Sequence, residues 1–150
     1  MQKANAVALV AFAVLFASAC DEKLSDLTGP TPGLNVTFAS IQQDIFSTTD
    51  SAGRAGCINC HTNAGGRTPA AGMNLGPGFA YDNIVNRAST GKPGAIRVIP
   101  GDPDNSYLVQ KIEGAPGIVG QRMPRTGGPY LTPGQITVIR RWIREGAKNN

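Results

Sequence analysis

The chain has 150 residues, which gives room for a single domain. Its formal net charge at pH 7 is +4, and the positive residues are scattered except for an arginine trio near the C-terminus. Scattered charge does not form the basic stripe that nucleic-acid-binding domains carry, so the sequence predicts no nucleic-acid partner. The trio, Arg140, Arg141 and Arg144, is expected on the solvent-facing side of a helix.

The N-terminal segment has the features of an export signal. Lys3 gives it a basic start, and an uncharged apolar run covers residues 6–17. This run is shorter than the ~20 apolar residues that span a bilayer, and it has the length of a signal core. It leads to Ala-Ser-Ala followed by Cys20, which resembles a bacterial lipobox. Residues 1–19 are therefore predicted to be a lipoprotein signal peptide, with Cys20 as the lipidated residue. The alternative is an ordinary signal peptide cut nearby, with Cys20 as a spare thiol.

The rest of the chain divides into a tether and one domain. Residues 20–36 mix charge with Gly, Pro and Thr, which predicts a flexible tether rather than a packed element. The domain is predicted at residues 37–150. Glycine and proline are dense at residues 62–78 and 114–131, so these two segments are predicted to be loops.

Apolar residues recur at helical spacing in four segments of the domain, and no alternating strand of useful length is present. The clearest segment begins with the capping box Thr132-Pro133-Gly134-Gln135 and is expected to end near Gly146. The fold class is therefore all-α. Three other helices are predicted. The first carries Phe38, Ile41 and Ile45 and is expected to end at residues 47–51, and the second lies within residues 79–87. The third follows a turn at residues 100–103, with Asp104 as its cap and Tyr107 to Ile112 in the helix.

Short helices in long loops bury little apolar surface. Domains of this size and kind usually need a disulfide, a metal or a cofactor to hold them together. A large, flat, apolar cofactor would supply the missing core.

The motif that carries chemistry is Cys57-Ile58-Asn59-Cys60-His61. This is the C-x-x-C-H pattern of c-type haem attachment, in which two thiols bind the macrocycle and the histidine binds the iron. A thioredoxin-like redox pair would require a βαβ setting, which the sequence lacks. A zinc site would require a fourth ligand, and a Cys57–Cys60 disulfide is the remaining alternative for an exported chain.

His61 is the single histidine of the chain, so ligation of iron by two histidines of this chain is excluded. A soft sixth ligand would have to be Met73 or Met123, because Met1 leaves with the signal. Chain length excludes neither residue. Met123 is favoured because it lies in a loop between two predicted helices, beside Pro124, which restricts the backbone before it. Met73 lies within a glycine-rich loop.

Taken together, the segment from Phe38 to Ala147 resembles the small monohaem cytochrome c-like domains of exported bacterial lipoproteins, akin to class I and planctomycete-type cytochrome c domains. The resemblance rests on the C-x-x-C-H motif, on Ile99-Pro100-Gly101-Asp102-Pro103 leading to Ser106-Tyr107-Leu108, on Arg122-Met123-Pro124, and on Leu131-Thr132-Pro133 leading to Arg141-Trp142-Ile143 and Gly146-Ala147. It implies terminal helices packed across each other, one covalent haem c, and His61 and Met123 as the two axial ligands of the iron.

Such ligation implies electron transfer rather than catalysis, because both axial positions are filled and Met/His ligation raises the reduction potential. The expected protein is a lipid-anchored electron carrier on the periplasmic side of a bacterial membrane, with a redox protein as its partner. Two other classes stay open. One is a haem-based sensor or peroxidase-like enzyme with a labile sixth site, and the other is a non-redox assembly module held together by haem.

Overall fold

The structure is a computed structural model that describes residues 34–150. The predicted signal peptide, Cys20 and most of the predicted tether lie outside the described residues. Within residues 34–150 the regular structure is helical, and β-pairing is limited to three isolated bridges. The predicted all-α class is therefore confirmed for this part of the chain. No helix in it is both long enough and apolar enough to cross a membrane.

Helix α1 (Phe38–Ile41) continues without a break into a π-helical turn (Gln42–Ser47). Thr37 caps its start by accepting a hydrogen bond from the backbone N–H of Ser40 at 3.2 Å. The apolar stripe predicted from the sequence is buried, and the element ends at Ser47, where the competing Ser and Thr side chains begin. Both the helix and its predicted end are confirmed.

Helix α4 (Pro133–Arg144) has the predicted capping box at Thr132 and Gln135, with proline in the first turn. Its C-terminus is a Schellman motif, because the N–H of Gly146 donates to the carbonyl of Ile143 at 3.0 Å and the N–H of Ala147 to that of Trp142 at 2.9 Å. Gly146 has a φ of 99°, which an L side chain rarely adopts. The predicted start and end of this helix are thus confirmed.

Helices α1 and α4 pack against each other through aromatic rings. The Phe38 ring lies 5.5 Å from Trp142, 5.3 Å from Tyr81 and 6.5 Å from Phe46, measured between ring centroids. The backbone N–H of Ala39 also donates to the carbonyl of Asn150 at 2.8 Å. Each aromatic pair adds about 0.5–1.5 kcal/mol beyond the area it buries, so this cluster stabilises the contact between the two helices.

Helix α2 (Ala80–Ile84) is shorter than the predicted segment at residues 79–87. It stops because the chain turns to pair with a distant segment: Val85 bridges Val98, and the N–H of Asn86 donates to the Val98 carbonyl at 2.9 Å. Leu75 and Val98 are buried in the core although both lie outside the predicted helices. Leu34 is also buried, so packing begins inside the segment predicted as tether.

Helix α3 (Tyr107–Glu113) does not have the predicted cap, and the assignment of Asp104 was wrong. The residue before the helix is Ser106, whose buried hydroxyl donates to the carbonyl of Asp102 at 2.7 Å and accepts from the N–H of Ile99 at 2.9 Å. Asp104 instead forms an ion pair with Arg140 of α4. Its carboxylate therefore links the turn before α3 to α4 rather than capping α3.

Candidate functional site

The C-x-x-C-H motif forms a 3-10 turn (Cys57–Asn59) packed against the end of the π-helical turn. The N–H groups of Cys60 and His61 both donate to the carbonyl of Cys57, at 3.3 and 3.0 Å. Gly56 makes this approach possible, since a Cβ at this position would lie 3.0–3.1 Å from backbone atoms of Phe46 and Ser47. Cys57, Cys60 and His61 are thus held together by hydrogen bonds to one carbonyl oxygen.

The two thiols of the motif are free and have different surroundings. Cys60 is exposed, whereas Cys57 is half-buried, with its Sγ 3.7 Å from the carbonyl oxygen of Ile45. Burial raises the pKa of Cys57 to about 12. This thiol is therefore protonated at neutral pH, whereas a C-x-x-C redox pair works through a thiolate of lowered pKa. The environment of Cys57 argues against the thiol-redox alternative.

The imidazole of His61 is held by the protein through its Nδ1. Its Nδ1 lies 2.9 Å from the carbonyl oxygen of Ala70. Because a carbonyl can only accept, Nδ1 carries the proton of the neutral ring, and Nε2 is left with the lone pair that a metal requires. Burial lowers the pKa of His61, against the hydrogen bonds to the backbone of Ala70 and Met73, which raise it. The imidazole is therefore neutral at pH 7, which is the metal-binding form.

Two further 3-10 turns follow the motif, at Ala64–Gly66 and Ala70–Gly72, and the latter supports the histidine. The N–H of Ala70 donates to the Cys60 carbonyl at 3.0 Å, and the N–H of Leu75 donates to the His61 carbonyl at 2.8 Å. The backbone on both sides of His61 is thereby tied to one glycine-rich loop. The sequence offered no sign of this role, because the groups involved are backbone atoms.

Arg97 is a residue of this region that the sequence analysis missed. Its side chain is buried, and its guanidinium donates to the carbonyls of Asn83 at 2.7 Å and Ala71 at 3.0 Å. Burial lowers its pKa from the ordinary arginine value. An arginine between apolar residues in a loop has no pattern that marks it as buried, so no sequence signal would have found it.

The two candidate methionines lie in different settings, and both are half-buried against the core. Met123 is fixed to the end of α3, since its N–H donates to the Lys111 carbonyl at 2.9 Å. The neighbouring Arg122 donates to the Ile112 carbonyl at 2.7 Å. Met73 lies beside His61, because its N–H donates at 3.2 Å to the same Ala70 carbonyl that accepts from the imidazole.

In the part of the chain that the structure describes, no group of three or more His, Cys, Asp or Glu side chains is arranged to hold a metal ion by itself. Comparison of the chain with models of known protein families, with curated proteins and with solved structures gave no match. The function of this chain is therefore inferred from its own residues and their geometry.

Proposed function

We propose that this protein carries one haem c bound covalently through Cys57 and Cys60, with His61 as an axial ligand of the iron, and that it transfers electrons. The observation that carries the proposal is the state of His61. It follows a C-x-x-C pair directly, and its Nδ1 is held by the Ala70 carbonyl, which places the lone pair of the neutral ring on Nε2. Histidines that bind metals almost always hold their second nitrogen in this way.

The residues of the site fit such a group. Haem supplies a one-electron redox centre, and the protein supplies binding, orientation and electrostatics. The Cys57 and Cys60 thiols would form the thioethers, and the free cysteines of the motif are in the state that this requires. The contact of Phe38 with Trp142 supports a cytochrome c-like fold, in which the first and last helices cross.

For the sixth ligand we propose Met123 rather than Met73. The N–H of Met73 bonds to the Ala70 carbonyl that also bonds Nδ1 of His61. Met73 is thus tied to the loop that supports His61, which would leave the other iron ligand to a residue of a separate segment. Met123 belongs to a separate loop anchored on α3, so it is free of this constraint.

The wider assignment is also a proposal. Export with residues 1–19 as signal and Cys20 as lipid anchor would place the haem domain on the periplasmic side of a bacterial membrane, tethered to its surface. A redox protein would be the partner. Six-coordinate iron suits a carrier because neither axial position is open to oxygen or peroxide.

The test is expression of the full chain in a bacterium with a cytochrome c maturation system, followed by denaturation and acid-acetone extraction. Haem should stay with the protein, at one iron per chain. The double variant Cys57→Ser/Cys60→Ser should lose it, while Asn59→Ala, within the same turn, should keep it. Haem that extracts from the wild type, or zinc in place of iron, would refute the proposal. Ready binding of carbon monoxide by the reduced wild type would favour the sensor or enzyme alternative.

A further inference from the structure

The turn behind His61 has an unfavourable backbone that other parts of the chain hold in place. Ala71 has a φ of 52°, in the left-handed region that costs a non-glycine residue about 1–2 kcal/mol. Its carbonyl accepts two hydrogen bonds from distant side chains, from Thr90 Oγ1 at 2.6 Å and from an Arg97 Nη2 at 3.0 Å. Such a conformation persists only where its surroundings impose it.

Arg97 is an unusual residue to find in this position. Only 8% of it is exposed, and among residues 34–150 it forms no ion pair. Two of its three guanidinium nitrogens reach different segments. Nη1 donates to the Asn83 carbonyl near the end of α2, and Nη2 donates to the Ala71 carbonyl in the turn. The planar fork of arginine suits this two-point attachment, which the single ammonium of lysine cannot reproduce.

The connection from Arg97 to the histidine is short and continuous. Ala71, which Arg97 holds, is bonded covalently to Ala70, whose carbonyl oxygen lies 2.9 Å from Nδ1 of His61. The buried charge of Arg97 is therefore one residue away from the group that orients the ligand. In a poorly solvated region this charge acts strongly on its neighbours.

We propose that Arg97 is a positioning residue of the haem site, which fixes the His61 imidazole through the Ala70–Gly72 turn and raises the reduction potential of the iron with its buried charge. Thr90 assists through the same carbonyl. The effect of Arg97 on the reduction potential rests on the proposed function. The positioning part does not, because it concerns the hydrogen bond of His61 in this chain.

The experiment compares Arg97→Gln, Arg97→Lys and Thr90→Val with a matched control, Arg87→Gln. Arg87 is an exposed arginine close in sequence, and its side chain donates to the Asp82 carbonyl at 2.7 Å. Its own carbonyl accepts from the N–H of Arg97 at 2.7 Å, a backbone hydrogen bond that Arg87→Gln keeps. Two quantities are measured on the full chain. They are the solvent-exchange rate of the His61 Nδ1 proton by NMR in the reduced, diamagnetic protein, and the reduction potential.

Arg97→Gln should exchange this proton at least ten times faster. At a fixed solution potential it should also lower the ratio of reduced to oxidised protein about tenfold, which is about 59 mV for one electron. Arg97→Lys keeps the charge but loses the fork, so it should exchange faster with little change in potential. Thr90→Val should exchange several-fold faster at unchanged potential, and Arg87→Gln should change neither quantity.

Wild-type exchange in all three variants would overturn the positioning role, and an unchanged potential in Arg97→Gln would overturn the charge effect. Where Arg97→Gln does not fold, Arg97→Lys and Thr90→Val decide the positioning role by the same exchange rates. If the purified protein contains no haem, the proposed function fails on its own. In that case nitrogen NMR of the imidazole, which reports the tautomer of His61, tests the positioning role. Loss of the Nδ1-protonated form in Arg97→Lys would support this role, and its retention would refute it.

Discussion

Gly56 is the position where a single methyl group should separate the motif from the helix that supports it. In Gly56→Ala the new Cβ would meet the carbonyl carbon of Ser47 at 3.0 Å and the oxygens of Phe46 and Ser47 at 3.1 Å. All three are backbone atoms, so no side chain can rotate away to relieve the contact. The φ of Gly56 is −57° and its ψ is 141°, which alanine adopts without strain. The whole effect on the folded state is therefore steric.

The expected magnitude is the balance of two opposing effects. Overpacking a well-packed contact costs about 1–3 kcal/mol. Replacing glycine by alanine also restricts the unfolded chain, which stabilises the fold by about 0.4–1 kcal/mol. The net loss in free energy of unfolding should be on the order of 1–2 kcal/mol. Equilibrium unfolding in urea, followed by the fluorescence of Trp142 in the core, measures it.

Gly91→Ala is the matched control for this experiment. Gly91 also lies outside the left-handed region, and a Cβ there meets nothing within 4 Å. Only the unfolded-state effect remains, so Gly91→Ala should be unchanged or more stable by up to about 1 kcal/mol. If Gly56→Ala is as stable as Gly91→Ala, the motif turn does not press on the end of the π-helical turn, and this contact does not support the motif.

Three further predictions concern the proposed sixth ligand, the ion pair of Asp50 with Arg54 and the proposed membrane anchor. Met123→Ala should abolish the weak charge-transfer band that methionine gives on ferric haem, lower the reduction potential and admit carbon monoxide, because Met/His ligation raises the potential. Met73→Ala should change none of these in the same spectra and titration, and the reverse outcome would exchange the two assignments. Asp50→Asn should lose about 1.5–3 kcal/mol at pH 7, since the Asp50 carboxylate accepts from a guanidinium nitrogen of Arg54 at 2.8 Å and from its backbone N–H at 3.0 Å. Burial acts to raise the pKa of Asp50, but the hydrogen bonds and charge of Arg54 lower this pKa overall. The stabilisation by Asp50 is therefore fully present above the pKa of the unfolded chain, about 3.9, and is lost as the pH falls through the lower pKa of the folded protein. Urea unfolding at a series of pH values should therefore show the gap between wild type and Asp50→Asn closing in acid, and a gap that widens there would contradict the sign. Cys20→Ser should release the protein from membranes or leave the signal uncut, and unchanged fractionation with unchanged mass would argue against lipidation.

The parts of the fold that the sequence predicted are those that local chemistry specifies. The capping box at Thr132, the apolar stripe of α4 and the left-handed Gly146 each depend on residues close to one another in sequence, so they can be predicted from the sequence. Asp104 was misassigned because its position suits a cap, and only the fold reveals that Arg140 lies within reach of it. Competition between a local partner and a distant one cannot be resolved from a single sequence.

In the candidate site, too, local features could be predicted from the sequence and long-range contacts could not. Spacing alone marks Cys57, Cys60 and His61, because the motif is contiguous. The support of the histidine depends instead on the Ala70 carbonyl and on Arg97, which is distant from Ala70 in sequence and separated from it by helix α2. The path of a glycine-rich loop is set by its tertiary contacts rather than by its composition, so its buried residues were not predicted.

The contacts around the motif also bear on how an electron-transfer site would work in so loose a fold. The Gln42 amide donates to the Leu75 carbonyl at 3.0 Å, and the Leu75 N–H donates to the His61 carbonyl at 2.8 Å. The π-helical turn thus holds the histidine segment through hydrogen bonds, in addition to the contact at Gly56. A metal ligand held from several directions would change position little when the charge on the metal changes. The hydrogen bonds of Leu75, Ala70 and Arg97 therefore give the histidine segment the fixed position that the proposed electron transfer would require, although the segments that supply them are mostly irregular.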